Sequence, residues 1–153
     1  MKVKTKVNVF QKAVLATPDV SAGYSKGLQA MKSNSSTVKF SDTRKLQGSV
    51  DIDDSTKNLY PHDARWDYAI GYNDKAYFVE VHPANTGNVA EMLHKSIWLE
   101  EWLKKKAVEL AEIREDNLYW VPSGRVAILK SSPQYRKMAL HKLVLVSNPF
   151  MLK

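Results

Sequence analysis

The sequence predicts one α/β domain with a mixed central sheet flanked by helices, and three stretches of chain carry that expectation. A hairpin pattern occupies residues 66–82. A long amphipathic pattern follows over about residues 89–110. Two apolar runs, 118–121 and 125–129, come next. A hairpin, a long helix and a further strand in that order imply a crossover, because parallel neighbours need a connection of a dozen or more residues. The length of 153 residues fits a single core. The chain has no internal repeat and no interdomain linker.

The elements follow in order. Val7, Phe10, Val14 and Leu15 share one face at helical spacing. Thr17-Pro18-Asp19 breaks the chain and offers a cap for a second helix, with Leu28 and Met31 as its apolar stripe. Gly23 and Gly27 weaken that helix, so residues 7–31 read as one helix or two. Residues 33–36 form a polar loop, and 38–53 look extended, alternating apolar and polar from Val50. Residues 54–65, with Pro61, read as loop.

The hairpin is the clearest local signal. Trp66-Asp67-Tyr68-Ala69-Ile70-Gly71-Tyr72 and Ala76-Tyr77-Phe78-Val79-Glu80-Val81-His82 are strand patterns around the turn Asn73-Asp74-Lys75. Pro83 ends the second strand, and Asn85-Thr86-Gly87-Asn88 supplies loop and cap residues. In the long helix Val89, Leu93, Ile97 and Leu103 lie near one stripe, extended sideways by Trp98 and Trp102. Pro122-Ser123-Gly124 joins the two later strands. Ser131-Ser132-Pro133 starts a short helix to about residue 140, and residues 143–146 make a last strand.

Composition narrows the function. The absence of cysteine excludes a disulfide framework, a thiolate zinc site and a cysteine nucleophile. His62, His82, His94 and His141 are dispersed without zinc spacing. There is no Gly-X-Ser-X-Gly elbow and no phosphate-binding glycine loop. No apolar run approaches the roughly 20 residues that span a bilayer. The first ten residues alternate Lys with Val and lack the apolar stretch of a secretory signal. The expectation is a soluble, cytoplasmic protein with no membrane partner.

The net charge is +7, unevenly spread. Residues 51–101 hold ten acids and four bases, a net of −6, while the remainder holds six acids and nineteen bases, a net of +13. A basic body around an acidic middle suits a protein that attracts a polyanion and holds a cation. A solvated basic surface with a coincidental acidic stretch gives the same counts.

If Asn73-Asp74 forms the turn, Asp67 falls opposite Glu80 on one face of the hairpin. Directly opposed like charges repel unless something positive lies between them. A divalent cation with oxygen ligands would serve. Pairing with Arg65 or Lys95, or plain solvation, would serve equally. Asp53, at the end of a strand pattern, could reach the same place or simply start a loop.

The run Gly48-Ser49-Val50-Asp51-Ile52-Asp53, then Trp66-Asp67, then Glu80-Val81-His82, resembles the PD-(D/E)XK nuclease superfamily over about residues 5–125. The resemblance implies a restriction-endonuclease-like αβββαβ core. It implies Asp67 and Glu80 as metal ligands with the Val81 carbonyl as a further one; Asp53, by its position alone, is an added candidate ligand. Magnesium, with manganese as an alternative, would be the cofactor, and the activity would be phosphodiester hydrolysis in DNA more than RNA. The motif lysine is replaced by His82. His82 could act as general base near neutral pH. Lys95, about two turns into the next helix, could supply the ammonium instead, and Glu91 one turn earlier could pair with it. A catalytically degenerate module that binds nucleic acid or a protein without cutting is the alternative. Arg125, Lys130 and Arg136, with Lys137, are the candidate phosphate contacts. Lys104-Lys105-Lys106 and Lys2, Lys4 and Lys6 are weaker ones, and Trp98 and Trp102 could stack on bases or sit in the core. A homodimer is left open by the small size of the domain.

Overall fold

Asn73 and Asp74 both take positive φ, 51° and 65°, in the two-residue loop of the central hairpin. That geometry matches the right-handed twist of paired strands, and Asn and Asp tolerate it better than other residues with a side chain. In the computed structural model, which describes residues 7–153, this turn fixes the register of the strands beside it. Lys2, Lys4 and Lys6 lie outside the described residues.

The elements are α1 (Val9–Leu15), β1 (Tyr24–Ser25), β2 (Val38–Phe40), β3 (Leu46–Asp51), α2 (Ile52–Thr56), β4 (Tyr68–Tyr72), β5 (Lys75–His82), α3 (Val89–Lys106), α4 (Val108–Glu112), β6 (Arg114–Pro122), α5 (Pro133–Leu140), β7 (Leu143–Leu145) and β8 (Phe150–Leu152). The main sheet runs β1-β3-β4-β5-β6-β7. Its first four strands pair antiparallel, and β6 and β7 join in parallel. Helix α3 makes the crossover from β5 to β6, and α5 the one from β6 to β7. A small parallel sheet, β2 with β8, stands apart.

Side chains alternate between two cores. Ala69 and Phe78 face Phe10, Trp66, Val89, Leu99 and Trp120 under the helices, while Ile70 and Val79 face Met31, Tyr72, Val121 and Leu152 under the small sheet. Burial on both faces explains why every residue of β4 is buried. Because side chains change face at each step, a slip of one residue would turn both cores inside out, so the register is strongly specified.

The structure corrects several sequence expectations. No second helix forms before Met31. Instead there is a 3₁₀ turn at Ser21–Gly23, the short β1, and 3₁₀ turns over Gln29–Thr37. Gly27 takes φ 54°, which a helix cannot hold. The extended stretch 38–53 is interrupted by a 3₁₀ turn at Thr43–Lys45 and ends in α2, whose N-cap is Asp51. The long helix breaks at Ala107 rather than reaching residue 110. Residues 125–129 form no strand beside β6, because β5 and β7 already occupy both edges of β6. They dock instead on the loop after β5, where Ala127 bonds to Ala84 and Thr86. The short helix and the strand after it form as expected. Among the described residues no helix is long and apolar enough to cross a membrane.

Gly71 packs directly under the Phe10 side chain, and a Cβ there would collide with the ring and with the Phe10 Cβ. We expect Gly71→Ala to destabilise the fold by about 1–3 kcal/mol, the usual cost of overpacking. Urea denaturation checks this, and an unchanged midpoint would mean that α1 is not seated on the sheet as described.

Candidate functional site

Trp66 is fully buried, and its indole N–H donates to the Tyr68 carbonyl at 3.2 Å. This anchor sets the start of β4 and places Asp67 at its mouth. The backbone N–H groups of Ile52 and Asp53 donate to the Asp67 carbonyl at 2.7 and 3.4 Å, tying the corner between β3 and α2 to the same residue. Tyr68 pairs with Val79, so one residue further out Asp67 meets Glu80.

Each acid accepts a backbone N–H from across the hairpin. The Asp67 N–H donates to Glu80 Oε1 at 3.0 Å, and the Val81 N–H donates to Asp67 Oδ2 at 3.3 Å. Lys95, on the second turn of α3, donates from Nζ to Glu80 Oε2 at 2.7 Å and lies 3.9 Å from Asp67 Oδ1. His82, two residues after Glu80 and therefore on the same face, completes the cluster. Its Nδ1 is 3.7 Å from Glu80 Oε2 and its Nε2 is 3.1 Å from Glu91 Oε2. The Trp120 indole donates to the His82 carbonyl at 3.1 Å, holding the end of β5.

Charge is crowded here. The Glu80 side chain is 1% exposed, against 21% for Asp67 and 15% for Lys95. Burial and then repulsion from Asp67 push the Glu80 carboxyl well above its ordinary range, against the pull of Lys95. Burial also raises Asp67, which Lys95 partly opposes. Glu80 is the more deeply buried of the two, so it is the one that holds a proton more readily. Burial alone would lower Lys95, but attraction to Glu80, the hydrogen bond to it and attraction to Asp67 and Glu91 outweigh burial. Lys95 therefore stays charged.

The structure thus brings Asp67, Glu80, His82 and Lys95 together, and adds Glu91. Asp53 sits in the first turn of α2 with its Oδ1 bound by Arg65 Nε at 2.8 Å, so its charge is felt by Asp67 while its carboxylate is turned to the arginine. Arg125 and Lys130 are exposed on the segment docked against the β5–α3 loop, and Arg136 is exposed on α5. Sequence reasoning missed Asp51. It caps α2 by accepting the Asp54 N–H at 2.9 Å. Burial, then repulsion from Asp54, Asp67 and Asp53, lifts it to about 6 despite that bond. The run Asp51-Ile52-Asp53-Asp54-Ser55 held the signal, an acid ahead of a helix start rich in acids.

The donor set suits a hard cation in kind, since it offers carboxylate oxygens and no thiolate. Among the described residues no group of three or more His, Asp or Glu is arranged to hold a metal ion. An ion here would therefore lean on two carboxylates, backbone and substrate oxygens, the mode magnesium commonly adopts at phosphate-transfer sites. Compared with protein families, with curated proteins and with solved structures, the chain gave no match.

Lys95→Met would leave Glu80 buried without its cation, which typically costs about 3–5 kcal/mol. Glu80 has a raised folded pKa, so its folded form binds protons more tightly than its unfolded form. The penalty is then largest near neutral pH and shrinks as pH falls toward the ordinary carboxylate range. Thermal denaturation at pH 5 and pH 8 measures this. An equal loss at both would show that Lys95 does not neutralise Glu80.

Proposed function

We propose that the chain is a magnesium-dependent nuclease of the PD-(D/E)XK kind, hydrolysing phosphodiesters in nucleic acid, DNA ahead of RNA. The observation that carries this reading is one ammonium, Lys95 Nζ, set 2.7 Å from Glu80 and 3.9 Å from Asp67 on adjacent strands. Two further features support it. With β1, β2, α2 and α4 intervening, helix α1, strands β3, β4 and β5, helix α3 and strand β6 match the helix, three strands, helix, strand order of that superfamily. The lysine absent from position 82 has a counterpart in Lys95, which reaches the same carboxylates from α3.

In this reading Asp67, Glu80 and the Val81 carbonyl hold the cation, with manganese as a substitute. A bound divalent ion would supply a lower pKa for water and neutralise charge developing on the phosphodiester. The chain's own residues then divide the remaining work. Lys95, displaced from sole duty to Glu80, orients the attacking water and faces the phosphate. His82, held by Glu91, is placed to take a proton. Arg125, Lys130 and Arg136 draw the polyanion in. The lack of cysteine agrees with a reducing compartment such as the cytoplasm. So small a domain has little surface for sequence readout, which favours a second copy or a protein partner.

One observation favours a second reading, a non-catalytic binding module. Both Glu80 oxygens already have partners in the protein, and its side chain is 1% exposed. A permanent Lys95–Glu80 pair would leave binding without cleavage.

Nicking of supercoiled plasmid separates the two. We expect magnesium-dependent nicking that falls at least about 100-fold in Asp67→Asn and Glu80→Gln, while salt-sensitive DNA binding persists in both. Binding with no nicking by the wild type under magnesium or manganese supports the module. Absence of both binding and nicking contradicts the nuclease and any module that binds DNA.

A further inference from the structure

Helix α3 continues past Lys95 with a second set of chemistry on the same side. Trp98 follows at i+3, Trp102 four residues later, and Lys105 and Lys106 three and four after that, so they form one stripe down the helix. At a rise of about 1.5 Å per residue, Trp102 lies roughly 10 Å along the axis from Lys95. Beside this stripe opens a cleft of about 230 Å³ lined by Tyr60, Asp63, Trp98, Glu101, Trp102, Lys105 and Lys106.

The rings are held in place. The Trp98 and Trp102 planes lie 10° apart with centroids at 5.8 Å, and Tyr60 meets Trp98 edge-on at 71° and 5.8 Å. Each indole N–H is fixed by an acid, Trp98 by Asp63 at 3.0 Å and Trp102 by Asp19 at 3.0 Å, and Asp19 also accepts from the Tyr60 hydroxyl at 2.6 Å. Trp102 is buried, but Trp98 is only half-buried. Such a fixed wall needs little ordering on contact with a flat aromatic ligand. Lys105 beside it is paired with Glu101 at 2.9 Å, which leaves the exposed Lys106 as the cation placed to meet a phosphate.

We infer that this cleft receives one unpaired nucleobase of the substrate, stacked against Trp98 with its phosphate on Lys106, so that the preferred substrate is single-stranded or locally opened nucleic acid. The inference rests on the nucleic-acid side of the proposed function and not on cleavage. A duplex keeps its bases stacked inside and can offer the wall no free ring face, whereas every unpaired base has one. The size of the cleft admits one ring system rather than a folded strand.

The test is done in EDTA, where cleavage plays no part. A fluorescently labelled oligonucleotide of about 12 nucleotides, single-stranded or annealed to its complement, is titrated with the wild type, Trp98→Leu and Lys106→Ala. The wild type should bind the single strand more tightly, and its tryptophan emission should be quenched. Trp98→Leu should lose about tenfold in single-strand affinity and leave duplex binding unchanged. Since Trp98→Leu could loosen the Asp63 loop, the exposed Lys106→Ala gives an independent reading. It should lower the slope of log affinity against log salt for the single strand by about one. Equal affinity for both forms, or wild-type emission unaffected by a bound single strand, overturns the inference. Single-strand preference lost in Trp98→Leu alongside an absence of nicking would keep the cleft and remove the nuclease.

Discussion

Everything at the site depends on the pairing of Tyr68 with Val79, which forces the two acidic side chains one step further out into contact. The pairing follows from a two-residue turn that only Asn, Asp and Gly accept comfortably, and from strands buried on both faces. The fold cannot relieve the crowding by slipping, because a slip would expose both cores. It relieves it with Lys95, brought in from α3. A sheet that holds two carboxyl groups against each other sets up an unfavourable charge contact, which the Lys95 ammonium offsets.

Two kinds of support surround this contact. Trp66 and Trp120 are buried aromatic anchors whose indole N–H groups fix the backbone at the start of β4 and the end of β5. The corner after β3 is bonded to the Asp67 carbonyl, so three strands converge on one residue. The side chains that would act are thus mounted on sheet and helix, which hold a constellation more tightly than loops do. Exposed cations, Arg125, Lys130 and Arg136, lie on the docked segment 125–130 and on α5.

Much of this was legible in the sequence, for definite reasons. The Asn73-Asp74 turn and the aromatic, β-branched strands beside it announced the hairpin, and with it the opposition of Asp67 and Glu80. The helical spacing after residue 89 placed Lys95 two turns in, within reach of them. What failed to show depended on tertiary competition. Residues 125–129 have strand composition, yet the edge they would join is filled by β7, whose parallel pairing comes from a later crossover. Asp51 and Asp53 alternated like a strand, but capping of α2 and the bond from Arg65 decided their fate. The second core was hidden too, because β8 at the chain's end pairs with β2, more than a hundred residues away.

The most direct test of the central contact is a calorimetric titration of the apo protein with magnesium or manganese near pH 7, in two buffers of different ionisation heat. The account predicts one site, binding accompanied by proton release because Glu80 and Asp67 carry raised pKa values, and loss of both in Asp67→Asn. Absence of binding, or binding that the substitution leaves intact and proton-neutral, would contradict it.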